Sequence, residues 1–237
     1  MKSEGSWPHI CSKYGLAEAA DTHYNCGQGY NFFPPALGDT VDHPPEDSTA
    51  VYLKHLDFGL RFPLDIEVAN ILKAMNVALC QLYPCAIRNV ICFVWTCKYL
   101  GHYPSVDVFR RLHSLRFDDK LGYWYVVTEE GYMTTFPRIY ALKDWKDRFL
   151  YVKVPLDWEV PKLFTNEVRT RLEPEADFVS GFHPPASSVI LSSDEEVLVS
   201  YFKASDSKTP LNWLPPANAI VHDEYLCRIG MIPALST

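Results

Sequence analysis

Val90-Ile91-Cys92-Phe93-Val94-Trp95 is the longest apolar run in the chain, inside a stretch that opens at Tyr83-Pro84 and stops at Gly101. Proline is tolerated in the first turn of a helix, where its missing N–H has no partner to lose. Glycine is a common helix stop. The stretch therefore predicts a helix from Pro84 to about Leu100. Its middle is apolar nearly all round, the pattern of a central helix buried on most sides. Flanked by Arg88, Asn89 and Lys98, the run falls far short of the ~20 residues a membrane span needs, so no membrane association is expected.

Working outward, Leu64, Val68, Ile71, Leu72 and Met75 recur at helical spacing and predict a helix from about Asp65 to Met75. Asn76 is a plausible stop, because Asn tolerates the left-handed conformation. Downstream, Pro104 opens an expected third helix to about Leu115. Val108, Leu112 and Leu115 form its apolar stripe, with Asp107, Arg110, Arg111 and Ser114 opposite. The period then changes. Tyr123 to Thr128 is aromatic and β-branched, Glu129-Glu130-Gly131 reads as a turn, and Tyr132 to Phe136 as the returning strand of a β-hairpin. A further strand is expected at Phe149 to Val154. The fold class is α+β: a helical core of about three helices, then a β-hairpin and a further strand, with irregular Pro-rich arms.

The arms follow from composition. Prolines pair at Pro34-Pro35, Pro44-Pro45, Pro184-Pro185 and Pro215-Pro216. Residues 1–50 read as an irregular acidic arm docked through Phe32 and Phe33, 51–165 as the core, and 166–237 as an acidic, Pro-rich extension. In that extension Ser193 to Glu196 matches a capping box for a short helix to about Lys203. A last helix is expected at about His222 to Arg228. The formal net charge of −7 divides unevenly. Residues 1–50 carry 2 basic and 7 acidic groups (−5), 51–165 carry 15 and 12 (+3), and 166–237 carry 5 and 10 (−5). A dedicated nucleic-acid binder draws its affinity from neutralised phosphates, and a surplus of three charges argues only weakly for one.

The N-terminal residues Met1 to Ile10 are polar and match no secretory signal. Seven cysteines, four of them between Cys80 and Cys97, then suggest reduced thiols in an intracellular compartment, nucleus or cytoplasm. Cys80-x4-Cys85 and Cys92-x4-Cys97, with His102 and His113 nearby, are the nearest metal candidate. In a helix Cys92 and Cys97 point about 140° apart at ~100° per residue, whereas zinc ligands converge on one ion. Buried small hydrophobes explain these thiols better, and no metal or cofactor is expected.

Several blocks carry a family resemblance. They are Tyr14-Gly15-Leu16, Gly59-Leu60-Arg61-Phe62-Pro63-Leu64, Gln81-Leu82-Tyr83-Pro84, Phe93 to Gly101, Pro104 to Leu115, Tyr123-Trp124-Tyr125 and Trp145-Lys146-Asp147-Arg148-Phe149. From about Tyr14 to Thr165 the chain resembles the plant gypsy-type transposon protein family, a retroelement-derived, Gag-like region. The most specific marks are Gly59 to Leu64, with Arg61, Phe62 and Pro63 as its motif residues, and Trp145, Lys146, Asp147, Arg148 and Phe149. The resemblance implies descent from a retroelement and brings no catalytic residues with it.

Retroelement enzymes leave signatures, and these fail here. Asp39-Thr40 is followed by Val41 where an aspartic protease needs Gly. Asp118-Asp119 follows Arg116-Phe117, out of register for a polymerase's paired aspartates, and reads as a solvated turn. No Cys-x2-Cys-x4-His-x4-Cys zinc knuckle and no Gly-x-Ser-x-Gly elbow occurs. Cys26-Gly27-Gln28-Gly29 lacks the third glycine of a phosphate-binding loop. The expectation is a non-enzymatic interaction module that binds itself or another protein. The first alternative is a weak nucleic-acid-binding module, in which Arg110, Arg111 and Arg116 contact phosphate, with His113 close by and Tyr123, Trp124 and Tyr125 stacking bases. The bland counterpart is a charged outer helix face beside core aromatics. The second alternative is a degenerate fragment without retained function.

Overall fold

The computed structural model describes residues 30–118, 122–132, 142, 145–146, 148–161 and 189–203. In chain order these form β1 (Asn31–Phe33), β2 (Ser48–Tyr52), α1 (Leu53–Asp57), α2 (Ile66–Met75), a 3-10 turn (Leu79–Gln81), α3 (Pro84–Tyr99), α4 (Val106–Leu112), β3 (His113–Asp118), β4 (Tyr123–Thr128), β5 (Phe149–Lys153) and α5 (Ser193–Phe202). The class is α+β.

The two central helices form for the reasons their sequences suggest. The side chain of Asp65 accepts from the Glu67 N–H at 3.1 Å and caps α2, and Asn76 ends it at φ 53°. Val68, Ile71, Leu72 and Met75 face inward. Pro84 sits in the first turn of α3, whose residues from Ala86 to Cys97 are buried except Asn89. A fully buried aliphatic or aromatic side chain contributes about 1.5–3 kcal/mol, so α3 is the largest single contributor to the core. Lys98 near its end donates to Asp65 at 2.6 Å and approaches Glu67 at 3.2 Å, tying the finish of α3 to the start of α2.

Two strands precede the helices, which the order read from the sequence did not include. β1 lies in the segment expected to be an irregular arm, and β2 begins at Ser48, ahead of Val51. Both pair antiparallel with β5, giving the order β1-β5-β2, with Phe33 opposite Tyr151, Ala50 opposite Tyr151 and Tyr52 opposite Phe149. Both faces of this sheet are covered. Phe32, Val51, Leu150 and Val152 join the helical core. Their alternates Ala50, Tyr52, Phe149 and Tyr151 form a second cluster with Val41, Ala78, Cys80, Tyr123 and Trp145.

The third helix is shorter than expected and the hairpin has a different first strand. Ser105, one residue after Pro104, caps α4 through the Val108 N–H at 3.1 Å, and the helix ends at Leu112. His113 is extended, at φ −138° and ψ 147°, and opens β3. Leu115 and Arg116 therefore lie on a strand. β3 pairs with β4 from His113 opposite Thr128 to Asp118 opposite Tyr123. Asp118 closes a strand rather than belonging to a turn between helix and hairpin, and Asp119 lies outside the described residues. The Glu129-Glu130-Gly131 turn is present, with Gly131 at φ 86°. Of the expected return strand, Tyr132 bridges to Lys203, and 133–136 lie outside the described residues.

α5 begins one residue earlier than the capping box read from the sequence. Ser192 is the cap: its hydroxyl accepts from the Glu195 N–H at 3.3 Å, while the Glu195 carboxylate accepts from the Ser192 N–H at 2.9 Å. Leu198, Val199 and Phe202 face inward, and the Phe202 ring lies 5.9 Å from that of Phe93. The Ser105 hydroxyl donates to Glu195 at 2.6 Å, pinning α5 to the start of α4. The helix expected at His222 to Arg228 lies outside the described residues.

Candidate interaction surfaces

The aromatic residues read as marks of the family resemblance, Phe62, Trp145 and Phe149, are buried, Phe62 in the helical core and the other two in the second cluster. Trp145 is buried beneath the second sheet face, with its ring 4.6 Å from Tyr52, 4.7 Å from Tyr123 and 5.4 Å from Tyr83, each edge-on. Edge-to-face pairs of this kind add about 0.5–1.5 kcal/mol each beyond area burial. The Tyr52 and Tyr123 hydroxyls share a hydrogen bond at 3.1 Å. Lys146 places its ammonium 4.6 Å above the Tyr123 ring. Arg148 is exposed, and its carbonyl accepts from the Leu53 N–H at 3.0 Å. Asp147 lies outside the described residues.

The other motif is also architectural. Gly59 turns the chain at φ 95°, a conformation glycine adopts without strain. Arg61 then reaches back to donate to the carbonyls of Leu56 at 2.6 Å and Leu60 at 2.9 Å, closing the end of α1. Phe62 is buried between Trp158, stacked at 5.9 Å, and Phe32, edge-on at 5.9 Å. Pro63 is exposed. These residues hold α1, the sheet and the segment after β5 together.

Burial governs the titratable groups of the interior. His55 is fully buried. Its Nε2 hydrogen-bonds to the Leu82 carbonyl at 3.1 Å, leaving Nδ1 without a partner, and burial lowers its pKa to about 4. His113, placed beside the basic helix face in the sequence reading, is instead buried. Its Nδ1 meets the Phe109 carbonyl at 3.2 Å, its ring stacks on Phe109 at 4.4 Å, and its pKa is likewise lowered to about 4. Burial pushes the Cys80 thiol up to about 12 and raises Cys92 and Cys97 further, so these sulfurs stay protonated. Cys85 is half-buried. Among the described residues no three His, Cys, Asp or Glu side chains gather so as to hold a metal ion. None of the described helices is long and apolar enough to cross a membrane.

The three arginines singled out in the sequence do not form one face of one helix. Arg110 is half-buried on α4 and ion-paired with Asp107 at 3.5 Å. Arg111 is half-buried at the end of the same helix. Arg116 is exposed on β3, with Nε donating to the Ser114 hydroxyl at 3.2 Å. Tyr123 and Trp124, expected beside them as stacking platforms, are buried. Tyr125 is half-buried opposite Arg116 across the hairpin.

The exposed aromatics lie elsewhere. Tyr99 at the end of α3 is 55% exposed, Tyr103 in the following loop 65%, and Val197 and Tyr201 on α5 49% and 44%. The Tyr201 ring lies 5.8 Å from that of His102, so α5 and the loop after α3 share one surface. The sequence carried a signal for it. With Leu198, Val199 and Phe202 assigned inward, Val197 and Tyr201 are left outside at helical spacing, where polar residues are the rule.

Together these features define an α+β domain in which Phe62, Trp145 and Phe149 are buried and exposed aromatics lie on α5 and in the loop after α3. Residues 50–117, from β2 into β3, match the family model described as "Putative gypsy type transposon", so this part of the chain is similar to gypsy-type transposon-related domains. The matched span is narrower than the resemblance read from Tyr14 to Thr165, and Trp145 to Phe149 fall outside it. No curated protein and no solved structure matches the chain.

Proposed function

We propose that this transposon-related domain is a non-enzymatic interaction module that binds a protein, itself included, through the surface formed by Tyr103, Val197 and Tyr201. The observation that carries the reading is the set of large apolar side chains left outside on α5 and beside it, while every aromatic of the two family motifs is buried. Tyrosine suits such a role, since it brings large contact area with few rotatable bonds. The aromatic-rich centre of the sequence cannot itself be the contact surface, because Trp145, Tyr123 and Trp124 are already covered.

The experiment is size-exclusion chromatography with light scattering, run with crosslinking across a range of concentrations. Tyr103→Ser combined with Tyr201→Ser is expected to abolish association without unfolding the chain. Association that persists unchanged in that variant defeats the reading, and a strict monomer at high concentration defeats its self-association form.

The nucleic-acid alternative is favoured by one observation: exposed Arg116 lies opposite half-exposed Tyr125 on the outer hairpin face. Electrophoretic mobility shift of a single-stranded probe tests it. Binding unchanged by Arg116→Ala, or by Arg110→Ala with Arg111→Ala, removes these contacts from consideration.

A further inference from the structure

We infer that the partner on this surface is a second copy of the chain, joined through an antiparallel pair of α5 helices about a two-fold axis midway between Glu196 and Lys203. The inference rests on the interaction reading above and names its partner. Leu198, Val199 and Phe202 point into the domain, which fixes the outward side of the helix at about 100° per residue. Val197 and Ser200 then occupy the outward line, Tyr201 lies on one flank, and Glu196 and Lys203 lie on the other. All five are exposed.

Charge selects both the partner and the direction. The first turn of α5 is acidic, with Asp194, Glu195 and Glu196, and its last turn has no basic residue before the C-cap, Lys203. A two-fold axis perpendicular to the helix reverses its direction and keeps each flank on the same side. Glu196 therefore meets Lys203 of the second copy, and Lys203 meets Glu196 of the second copy, so one contact is made twice. A parallel pairing would set acidic turn against acidic turn. Antiparallel pairing also brings each helix's partly positive N-terminus toward the partly negative C-terminus of the other. Ser200, small and next to the crossing point, lets the backbones approach, with Val197 of each copy beside it. Tyr201 and His102 close the opposite flank.

The test is the concentration dependence of mass, by sedimentation equilibrium or light scattering, for the full chain and four preparations. Lys203→Glu alone and Glu196→Lys alone each place like charges at both symmetric contacts, and each is expected to weaken the dimer by about ten-fold or more. Glu196→Lys with Lys203→Glu in one chain restores opposite charges and with them the wild-type affinity. An equimolar mixture of the two single variants forms a heterodimer tighter than either homodimer. A wild-type dimer that ignores both single reversals overturns the α5 geometry and leaves the interaction reading intact. A wild-type chain that is monomeric at every concentration overturns the inference together with the self-association form of the reading. Circular dichroism verifies that the single variants keep the wild-type helix content, since both positions are exposed.

Discussion

Two groups of aromatic side chains in this molecule have similar composition and opposite placement. Around Trp145, the rings of Tyr52, Tyr83 and Tyr123 meet edge-on within 5.4 Å and two hydroxyls are satisfied by each other. At the α3–α5 end, Tyr103 is 65% exposed, Tyr99 is 55% exposed with its ring stacked on Trp95, and Tyr201 is 44% exposed with its ring beside His102. The first group spends its aromatic surface on holding β2, the start of α3, β4 and the Trp145 segment in one cluster. The second contributes little to that task. Residue type alone does not say which group is which; the strand alternation that turns Tyr52 and Tyr151 to the same covered face does.

Trp145→Ala is the severest test of the difference. Removing a buried Trp leaves a cavity and typically costs about 3–5 kcal/mol, a large part of a domain's net stability. Urea unfolding followed by fluorescence and circular dichroism is expected to show a midpoint shifted far down or a chain already unfolded. A loss under 1 kcal/mol would mean that this cluster is loosely packed and the contrast with the α3–α5 end is false.

The next effect is pH. His55 and His113 are buried on the helical side of the molecule and have their pKa lowered from 6.5 to about 4. Between those values the unfolded chain binds protons that the folded chain refuses, so stability is complete above pH 6.5 and falls as pH drops through the window toward 4. At one pKa unit per ~1.4 kcal/mol, each histidine costs about 3 kcal/mol across the whole window. A protonated His55 would in addition carry an Nδ1–H with no acceptor. Unfolding free energies measured from pH 7.5 to 4.5 are expected to decline steadily, and less steeply in His55→Gln. A flat profile would place both rings in contact with water.

α2 and α3 were the most legible part of the sequence because each local signal agreed with the tertiary packing, whereas α1 was not read at all. Leu64 to Met75 has one apolar stripe and an Asn76 stop, and Pro84 to Gly101 has a proline start and a glycine stop. β3 was hidden because Leu115 stands three residues after Leu112 and so continues the helical stripe of α4, although the backbone turns extended at His113. β1 is only three residues long, and β2 is buried at all five positions, so neither shows polar–apolar alternation. Their partner β5 lies about a hundred residues away, and no local pattern encodes that pairing. Burial of the rings at Tyr123-Trp124-Tyr125 was hidden for a related reason: the run is rich in rings, but two of the three are covered by elements distant in sequence.

A smaller test concerns how firmly α5 is fixed to the body, since the exposed patch depends on it. Ser105 caps α4 and donates to Glu195 of α5. Ser105→Ala removes both bonds, and loss of the cap alone typically costs about 1 kcal/mol. Ser105→Asp keeps a capping oxygen and sets a second carboxylate against Glu195. If the tether matters, Asp rescues α4 but not the docking of α5. Hydrogen exchange then shows faster exchange in 193–203 and unchanged protection in 106–112. Equal behaviour of Ala and Asp in both segments would reduce the bond to a local cap.

The smallest effect on stability is expected where the effect on association is greatest. Tyr103→Ser removes a ring that is 65% exposed and Tyr201→Ser one that is 44% exposed, and exposed substitutions away from caps and turns usually shift stability within about 0.5 kcal/mol. Tyr201 also loses its contact with the half-buried His102 ring, so it is expected to lie at the upper end of that range and Tyr103 at the lower. Paired measurements of unfolding free energy and of mass against concentration separate the two roles. Retained stability with lost association identifies a binding surface. Lost stability, at the scale expected for Trp145→Ala, would make the α3–α5 aromatics a second core face, and the two groups of rings would then differ in degree of exposure rather than in purpose.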